Sequence, residues 1–243
     1  MKLLFGNTLI FLFLISCHTT FARGDDSYEN GINNFRQAKI AMVNIFRNLD
    51  RPKTIYCGCD IEFPKRGGYK PDLISCGYKS HGNESRAKRI EAEHIMPAWE
   101  FGHAMKCWID GGRKKCESGD VLFMKMEGDL HNLYPAVGEV NGDRSNFKFT
   151  ESVHNSNGYG QCEMYIDRKR QRVVPPNRSK GIVARAYLYM SAQYGIKLDA
   201  EHINLFNQWN KKFPPSKNEC KRNELIKTIQ GNDNPFVTNA CKR

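Results

Sequence analysis

The chain has 243 residues and a formal net charge of +11 at pH 7, from 37 lysines and arginines against 26 aspartates and glutamates. This surplus suits a polyanionic partner, whereas a small ester substrate would not need it. The sequence contains neither a Pro/Ser-rich linker nor an internal repeat, which argues against a two-domain chain or a repeat array and favours one compact domain.

The first predicted element is a secretory signal peptide over residues 1–22. MKLLFGNTLIFLFLISC has one early lysine and an apolar run too short to span a bilayer comfortably, with small residues before a cleavage point after Ala22. LISC (14–17) also resembles a bacterial lipobox, which would put a lipid on Cys17, and a permanent anchor helix is a third alternative. We therefore predict a periplasmic or secreted mature chain, residues 23–243, that has no transmembrane segment.

Eight cysteines remain after the signal peptide, and an even number in an exported chain predicts disulfides. A zinc site is disfavoured because no C-x-x-C pair faces a second one and Cys57-Gly58-Cys59 is too tight to chelate in that way. Cys57 and Cys59 should reach different partners. Cys107 and Cys116 flank a turn-like IDGGRKK and could bridge each other, and the remaining pairing is open. The eight are Cys57, Cys59, Cys76, Cys107, Cys116, Cys162, Cys220 and Cys241.

Helical patterns are clearest towards the two ends of the mature chain. Apolar residues recur every three or four positions over 35–49 and over 183–194, which predicts two amphipathic helices. Asp199 is the expected N-cap of a third helix that the two prolines at 214–215 end. A fourth helix should cover about 222–230, closed by the following glycine.

The middle of the chain, residues 54–165, has a different pattern. It is rich in glycine and asparagine, its apolar runs are short, and long helical periodicity is absent. Short strands and loops are therefore expected there. Together with the terminal helices, this predicts a single mixed α+β domain.

EAEHIMPAW (91–99) brings two glutamates and a histidine together just before an apolar run. Glu93 and His94 are adjacent, so on an extended strand their side chains would point to opposite faces, whereas a turn or a strand end could aim both at one point. The plainer alternative is a structural histidine beside a surface acid. The spacing H-E-x-x-H of zinc proteases is absent, which removes a familiar metal-hydrolase alternative.

Three ordered stretches give a specific resemblance: EAEHIMPAWEFG (91–102), GDLHNLYPAVGEVNGDRSNF (128–147) and QGNDNPFV (230–237). They resemble the signature stretches of the bacterial endonuclease I family, and YCGCDI, SCGY and ARAYLYM extend the likeness over almost the whole mature chain. The resemblance implies a disulfide-bonded monomer with a ββα-metal, or His-Me finger, core. It also implies a sequence-non-specific endonuclease that hydrolyses DNA, and we expect RNA as well, to products with 5′-phosphates.

The same resemblance assigns roles residue by residue. The general base of the family falls on His94, its metal-binding acid on Glu93 and its second metal ligand on Asn141. Arg113 matches the arginine that meets the scissile phosphate. Glu127 matches a position whose main-chain carbonyl orients the base. Ala92 departs from the pattern, since the family is expected to have a bulky aromatic residue there, and this puts only the local packing in question.

The chemistry of these residue types agrees with the resemblance. Carboxylate and carboxamide oxygens suit a hard cation that keeps several waters, so Mg²⁺ is the expected cofactor, with Mn²⁺ or Ca²⁺ able to substitute in binding. A neutral imidazole is suited to accepting a proton near neutral pH. Two other functions remain open: a basic nucleic-acid-binding module without catalysis, and a metal phosphatase for small esters.

Other polar residues receive structural interpretations. The HN pair at 131–132 is expected to be structural. Asp143 and Arg144 could pair with each other or brace the site, and Glu91 could support the metal ligands from behind. For Arg185, a phosphate contact and a structural ion pair are equally good hypotheses.

Overall fold

The computed structural model describes residues 31–32, 34–65, 68–154 and 158–242. The predicted signal peptide, its cleavage point after Ala22 and the alternative lipid site at Cys17 lie outside these residues. Within the described ranges, no helix is long and apolar enough to cross a membrane.

Helices and strands are mixed along the described residues, which confirms the predicted α+β class. The elements are α1 (Phe35–Arg47), β1 (Asp60–Glu62), β2 (Lys70–Asp72), α2 (Glu84–Ala87), β3 (Ile90–His94), α3 (Ala98–Gly102), α4 (Lys106–Glu117), α5 (Val121–Glu127), a 3₁₀ helix (Leu130–Asn132), β4 (Leu133–Val137), α6 (Gly138–Arg144), β5 (Lys148–Phe149), β6 (Tyr165–Asp167), β7 (Arg172–Val174), α7 (Asn177–Tyr194), α8 (Ala200–Lys212), α9 (Lys217–Gln230) and α10 (Pro235–Cys241).

The strands form three small sheets. β1 pairs with β2 and β3 with β4, both antiparallel, while β7 lies between a parallel β5 and an antiparallel β6. In the central pair, Glu93 lies opposite Tyr134 and His94 opposite Leu133. All five residues of β4 are buried. Because two-stranded sheets are marginal on their own, this pair depends on the helices that cover it.

α1 and α6 pack directly against this strand pair. α1 buries Ala38, Ala41, Met42 and Ile45 at helical spacing, as its sequence pattern predicted. α7 is buried along most of its length and packs against α8. A Cβ on Gly181 would come within 2.2 Å of the carbonyl oxygen of Phe213, so the close approach of these two helices requires glycine there.

Four disulfides account for the eight cysteines from residue 57 onwards: Cys57–Cys162, Cys59–Cys76, Cys107–Cys116 and Cys220–Cys241. The predicted separation of Cys57 from Cys59 and the predicted short bridge from Cys107 to Cys116 are both confirmed. The first bridge joins residues 105 apart in sequence and ties the region before β1 to the region before β6.

The prediction for the middle of the chain was wrong in one respect, because α2 to α6 lie between residues 54 and 165. Four of these helices have only four to seven residues, too few to show a periodic pattern. The fifth, α4, contains the supposed turn GGRKK and is kinked there: Gly111 and Gly112 leave helical angles, and Gly112 takes φ +71°. At the ends, α1 stops at Arg47 and α9 begins at Lys217, five residues before the predicted start.

Candidate active site

The site is built on the central strand pair and the helix that follows it. β4 runs into α6 without a loop, so β3, β4 and α6 form one ββα unit. The helix packs tightly against α2, where a Cβ on Gly138 would come within 2.6 Å of the carbonyl oxygen of Arg86. Glycine at the first position of α6 therefore lets the helix approach closely enough to face the end of β3.

A cleft of about 780 Å³ opens beside this unit. Glu93 and His94 from β3, Asn141 from α6 and Arg113 from α4 all line it, so four of the five predicted site residues come together. Glu127 lies behind the cleft, where its main chain and its side chain contact two of the other four. The end of a strand brings Glu93 and His94 to the same cleft, which was one of the two arrangements the sequence allowed.

His94 is held in a defined orientation. Its Nε2 lies 2.8 Å from the carbonyl oxygen of Glu127, and its ring packs 4.8 Å from the ring of Phe35. A carbonyl oxygen only accepts hydrogen bonds, so Nε2 carries the proton and Nδ1 keeps its lone pair. Burial, followed by the positive charge of Arg113, lowers the pKa of His94 to about 3, so the imidazole is neutral at pH 7.

Glu93 is a buried carboxylate with two fixed partners. The hydroxyl of Tyr56 donates to Oε1 at 2.6 Å, and Nη1 of Arg144 lies 3.1 Å from the same oxygen. Burial raises the pKa of Glu93, and the positive charge of Arg144 opposes that shift. Burial and the charge of Glu93 raise the pKa of Tyr56 well above its ordinary value, so its hydroxyl remains a donor. Both contacts fall on Oε1, which leaves Oε2 as the oxygen for a further partner.

Asn141 is oriented by Glu91. Its Nδ2 donates to Oε2 of Glu91 at 2.8 Å, so Oδ1 is the atom available as a ligand. Glu91 is itself fixed by two contacts from Arg86, at 2.9 and 2.7 Å, and by Arg89 at 2.9 Å. Burial alone would raise the pKa of Glu91, but its hydrogen bonds and ion pairs, chiefly with Arg86, lower it. The carboxylate is therefore ionised and holds the amide in one orientation.

Arg113 lies on the wall of the cleft, partly exposed, just after the kink in α4. Its Nε contacts Oε1 of Glu127 at 2.7 Å and Oε1 of Glu117 at 3.0 Å. Glu127 thus contacts His94 through its carbonyl and Arg113 through its carboxylate. Burial raises the pKa of Glu127 to about 7, although the positive charge of Arg113 opposes that shift.

The donor set fits a hydrated hard cation. Among the described residues there is no group of three or more His, Cys, Asp or Glu side chains that could hold a metal. One carboxylate oxygen of Glu93 and the amide oxygen of Asn141 border the same cleft, and they would leave the remaining positions around a cation to water. Mg²⁺ keeps several waters and is bound through few protein oxygens, so this set suits it better than zinc.

The chain is similar in sequence to known proteins over most of its length. The chain matches the Endonuclease I family over residues 34–241. It belongs to that family. It is 49% identical over 223 residues to Endonuclease-1 of Buchnera aphidicola (subspecies Acyrthosiphon pisum), which covers 91% of this chain and 88% of the relative.

Two relatives from Aeromonas hydrophila extend the comparison. A periplasmic deoxyribonuclease is 48% identical over 209 residues, or 86% of each chain. An extracellular deoxyribonuclease is 46% identical over 217 residues, which are 89% of this chain and 93% of the relative. The family predicted from three ordered sequence stretches is confirmed.

In this endonuclease I family member, Arg144 braces the site and does not pair with Asp143. Its Nη1 and Nη2 donate to the carbonyl oxygens of His94 and Ile95, at 3.0 and 2.7 Å, and Nη1 also contacts Glu93. Asp143 instead accepts from the hydroxyl of Tyr159 and contacts Arg168. Of the two hypotheses that the sequence left open for this pair, the bracing one describes Arg144.

The remaining polar residues have structural contacts. Arg185 forms a buried two-point ion pair with Glu219, which decides between its two hypotheses. His131 contacts the carbonyl oxygen of Asn232 at 3.1 Å. The side-chain amide of Asn132 forms hydrogen bonds with the main chain of Met96.

Sequence reasoning missed several residues that complete the site. Tyr56 holds Glu93 from 37 positions away, and Arg86 holds Glu91 from α2. Phe35 and Lys39, from α1, line the cleft opposite β3. Tyr56 and Phe35 belong to stretches that looked like ordinary apolar or cysteine-flanking sequence. Arg86 lies in a basic stretch, KSHGNESRAKR (79–89), whose sequence gives no sign of the contact with Glu91.

Proposed function

We propose that this protein is a Mg²⁺-dependent, sequence-non-specific endonuclease that hydrolyses phosphodiester bonds of DNA, and of RNA, to products with 5′-phosphates. The observation that carries the proposal is the neutral His94, with Nε2 fixed by the carbonyl of Glu127, beside a carboxylate and an amide oxygen in one cleft. The names of the relatives support DNA as a substrate.

His94 acts as the general base. With Nε2 protonated, Nδ1 accepts the proton of the water that attacks phosphorus, a role that typically contributes 10²–10⁴-fold. The low pKa of the histidine reflects burial near Arg113 and Arg144, both cationic. An incoming phosphate brings negative charge to the same cleft and raises that pKa again, so substrate binding strengthens the base.

Glu93 and Asn141 would hold the cation, and Glu91 fixes the amide of Asn141 through its Nδ2. When bound, the cation supplies positive charge that stabilises the departing 3′-oxygen. Arg113 meets the phosphate: its planar donors are suited to the non-bridging oxygens. For this contact Arg113 must share its donors between the substrate and its present partners Glu117 and Glu127.

The positive surplus of the chain explains non-specific binding. Lysines and arginines that contact phosphates supply affinity and carry no information about base sequence. We expect a monomer, as the family resemblance implies. We expect it to work in the periplasm or outside the cell, because two relatives are named for those locations and four disulfides need an oxidising compartment.

A comparison of two histidine variants tests the proposal. We expect His94→Ala to lose at least about 10²-fold in plasmid cleavage while binding DNA in chelator with unchanged affinity, because the base is removed and the phosphate contacts remain. His154→Ala is the matched control, since His154 is an exposed histidine that lines neither the catalytic cleft nor the groove beside it. Near-wild-type cleavage by a folded His94→Ala protein, checked by thermal melting, would contradict the proposed mechanism.

The cation is tested in the same assay. Chelator should abolish cleavage, and Mg²⁺ should restore it in wild type but not in His94→Ala. Asn141→Ala should need more Mg²⁺ than wild type, because it removes one of the two protein ligands. Cleavage that persists in chelator would rule out the cation and leave only the base.

A further inference from the structure

An exposed aromatic pair stands at the mouth of the catalytic cleft. Trp99 is 46% exposed, and its ring stacks on that of His103 with centroids 3.9 Å apart and planes within 5°. Nδ1 of His103 lies 2.7 Å from the main-chain oxygen of Trp99, which fixes the imidazole in the stack. Large aromatic side chains usually bury most of their surface, so an exposed stacked pair indicates a surface that binds another molecule.

The pair lies between two depressions of the surface. Trp99 and Asn146 line both the catalytic cleft and a second groove of about 480 Å³, so the two adjoin each other at these residues. His103 lines the second groove only. A strand whose phosphate lies beside His94 would therefore pass Trp99 as it enters the groove.

The groove is basic beyond the aromatic pair. Lys148, Arg172 and Lys197 line it, and neither Arg172 nor Lys197 has a carboxylate within ion-pair distance among the described residues. Two carboxylates are also present, but both have partners.

Those two carboxylates are Glu100 and Asp199. Glu100 accepts from the hydroxyl of Tyr187 at 2.7 Å, and Asp199 contacts His202 at 2.7 Å and Lys148 at 3.4 Å. An aromatic surface followed by cations without partners is the arrangement that binds single-stranded nucleic acid, with bases on the rings and the backbone on the charges.

We propose that Trp99 and His103 form a stacking subsite for one unpaired base next to the cleaved phosphate, and that Arg172 and Lys197 hold the backbone beyond it. This inference rests on the proposed nuclease function and narrows its substrate: single-stranded or locally unpaired nucleic acid gains a contact that a closed duplex cannot make. Every base has a π-face, so the subsite adds affinity without sequence preference.

Because the enzyme is expected to have no sequence preference, the cleavage rates at different bonds of one oligonucleotide can be compared directly. Single-stranded oligonucleotides that each carry one abasic site are cleaved by wild-type protein, and cleavage at every bond is resolved on a gel. We expect the bond at one fixed offset from the abasic site to be cut about 5- to 150-fold less, the ratio equivalent to ~1–3 kcal/mol of stacking. In Trp99→Ala every bond lacks the stacking contact, so that bond should be cut at the same rate as its neighbours. The local loss of cleavage at the fixed offset, called the footprint below, should therefore disappear.

Three further variants make the result specific. Trp99→Phe should keep the footprint because it keeps a ring. Ile109→Ala, which removes a 74% exposed apolar side chain outside both clefts, should keep it as well. Lys197→Ala should also keep it but weaken binding of every sequence and reduce the slope of log affinity against log salt by about 0.7, as loss of one phosphate contact does.

The outcomes separate this inference from the proposed function. Wild-type cleavage without a footprint, or a footprint that survives in Trp99→Ala, would overturn the stacking subsite and leave the nuclease intact. Absence of any cleavage by wild type in Mg²⁺ would overturn the nuclease and the subsite with it. Binding of a closed hairpin duplex should change less than about twofold in Trp99→Ala, and an equal loss for duplex and single strand would also count against base stacking.

Discussion

The cleft around Glu93 and Arg144 and the helical region around Glu219 and Arg185 each contain a buried arginine–glutamate pair, but the two carboxylates are used differently. Each carboxylate oxygen of Glu219 accepts one hydrogen bond from Arg185, at 2.6 and 2.7 Å. Glu93 receives both Tyr56 and Arg144 on Oε1. Burial and pairing are thus common to both regions, and what distinguishes the cleft is a carboxylate whose second oxygen is not used by the pair.

The surroundings of the two pairs follow the same division. Arg185 also bonds to the carbonyl oxygen of Phe213 and to Oδ1 of Asn210, so every part of it serves α7 and its neighbours. Arg144 bonds to the carbonyl oxygens of His94 and Ile95, at the end of the strand that carries the candidate base. The first arrangement joins helices, and the second fixes the backbone beneath the candidate base.

The largest expected effect comes from removing the charge of each glutamate. Glu93→Gln should lower cleavage at least about 10²-fold, because it weakens the cation site, and excess Mg²⁺ should restore part of the loss. Glu219→Gln should leave cleavage per folded molecule unchanged but destabilise the fold by ~3–5 kcal/mol, since Arg185 stays buried without its counter-charge. Urea unfolding and a Mg²⁺ titration of plasmid cleavage measure the two quantities. Equal loss of cleavage in both variants would remove the distinction between the regions.

A disulfide adjoins each pair and extends the comparison. Cys57 follows Tyr56, the partner of Glu93, and closes a loop of 105 residues with Cys162, whereas Cys220 follows Glu219 and closes one of 21 with Cys241. Replacing both cysteines by alanine should cost ~4.7 kcal/mol for the long loop and ~3 kcal/mol for the short one, since the longer bridge restricts the unfolded chain more.

Only the long-loop variant should also reduce cleavage, because it loosens the segment that carries Tyr56. Chemical unfolding of the two double variants, followed by cleavage at a temperature where both remain folded, gives the measurement. A larger loss of cleavage in the Cys220/Cys241 variant would show that the site depends on the helical region more than its contacts indicate.

The two regions also use asparagine amides in opposite directions. Asn210 offers Oδ1 to Arg185, whereas Asn141 donates Nδ2 to Glu91 and keeps Oδ1 for the cleft. Glu91→Gln should therefore raise the Mg²⁺ concentration needed for half-maximal cleavage by about 10- to 100-fold, the usual cost of removing a partner behind a metal ligand. Asn210→Ala is the control, with no change in Mg²⁺ requirement. An unchanged requirement in Glu91→Gln would mean that the amide of Asn141 needs no such support.

Much of this molecule could be predicted from local sequence. The long helices α1 and α7, the cap at Asp199 and the bridge from Cys107 to Cys116 all depend on residues close together in the chain, and the structure confirms them. The α+β class followed from the contrast between the terminal helices and the middle of the chain, and the family followed from three ordered stretches. The short helices of the middle region could not be read in this way, because four to seven residues are too few to reveal a period.

The contacts that organise the site were beyond a local reading for a different reason. Tyr56 reaches Glu93 across 37 residues and Arg144 reaches the end of β3 across 50, so both depend on how the strands and helices pack. Arg185 illustrates the limit well. Its sequence setting allowed a phosphate contact or an ion pair, and only the position of Glu219, 34 residues later, decides between them. The family resemblance assigned the candidate ligands, while tertiary packing defined their orientation.

The smallest expected effect is a change in pH dependence that both regions should share. Burial lowers the pKa of His94 in the cleft to about 3 and that of His131, which packs on Tyr189 of α7, to about 4, from an ordinary value of 6.5. Each histidine is neutral when folded and takes up a proton on unfolding below pH 6.5. Stability is therefore lost as pH falls from 6.5 towards the folded pKa, by up to about 1.4 kcal/mol per pH unit for each group.

Glutamine in place of either histidine removes this pH-dependent loss of stability. The difference in free energy of unfolding between wild type and variant, the stability gap, should therefore narrow by up to about 1.4 kcal/mol between pH 6 and pH 5. The comparison of each variant with wild type cancels the opposite contribution of Glu93 and Glu127, whose raised pKa values favour the folded state as pH falls. Urea unfolding at the two pH values measures the gap, and cleavage at pH 7 separates the regions: His131→Gln should cleave normally when folded, and His94→Gln should not. A stability gap that stays constant with pH in both variants would show that neither histidine is held neutral by its buried setting. Normal cleavage by His94→Gln would leave the two regions without a functional difference.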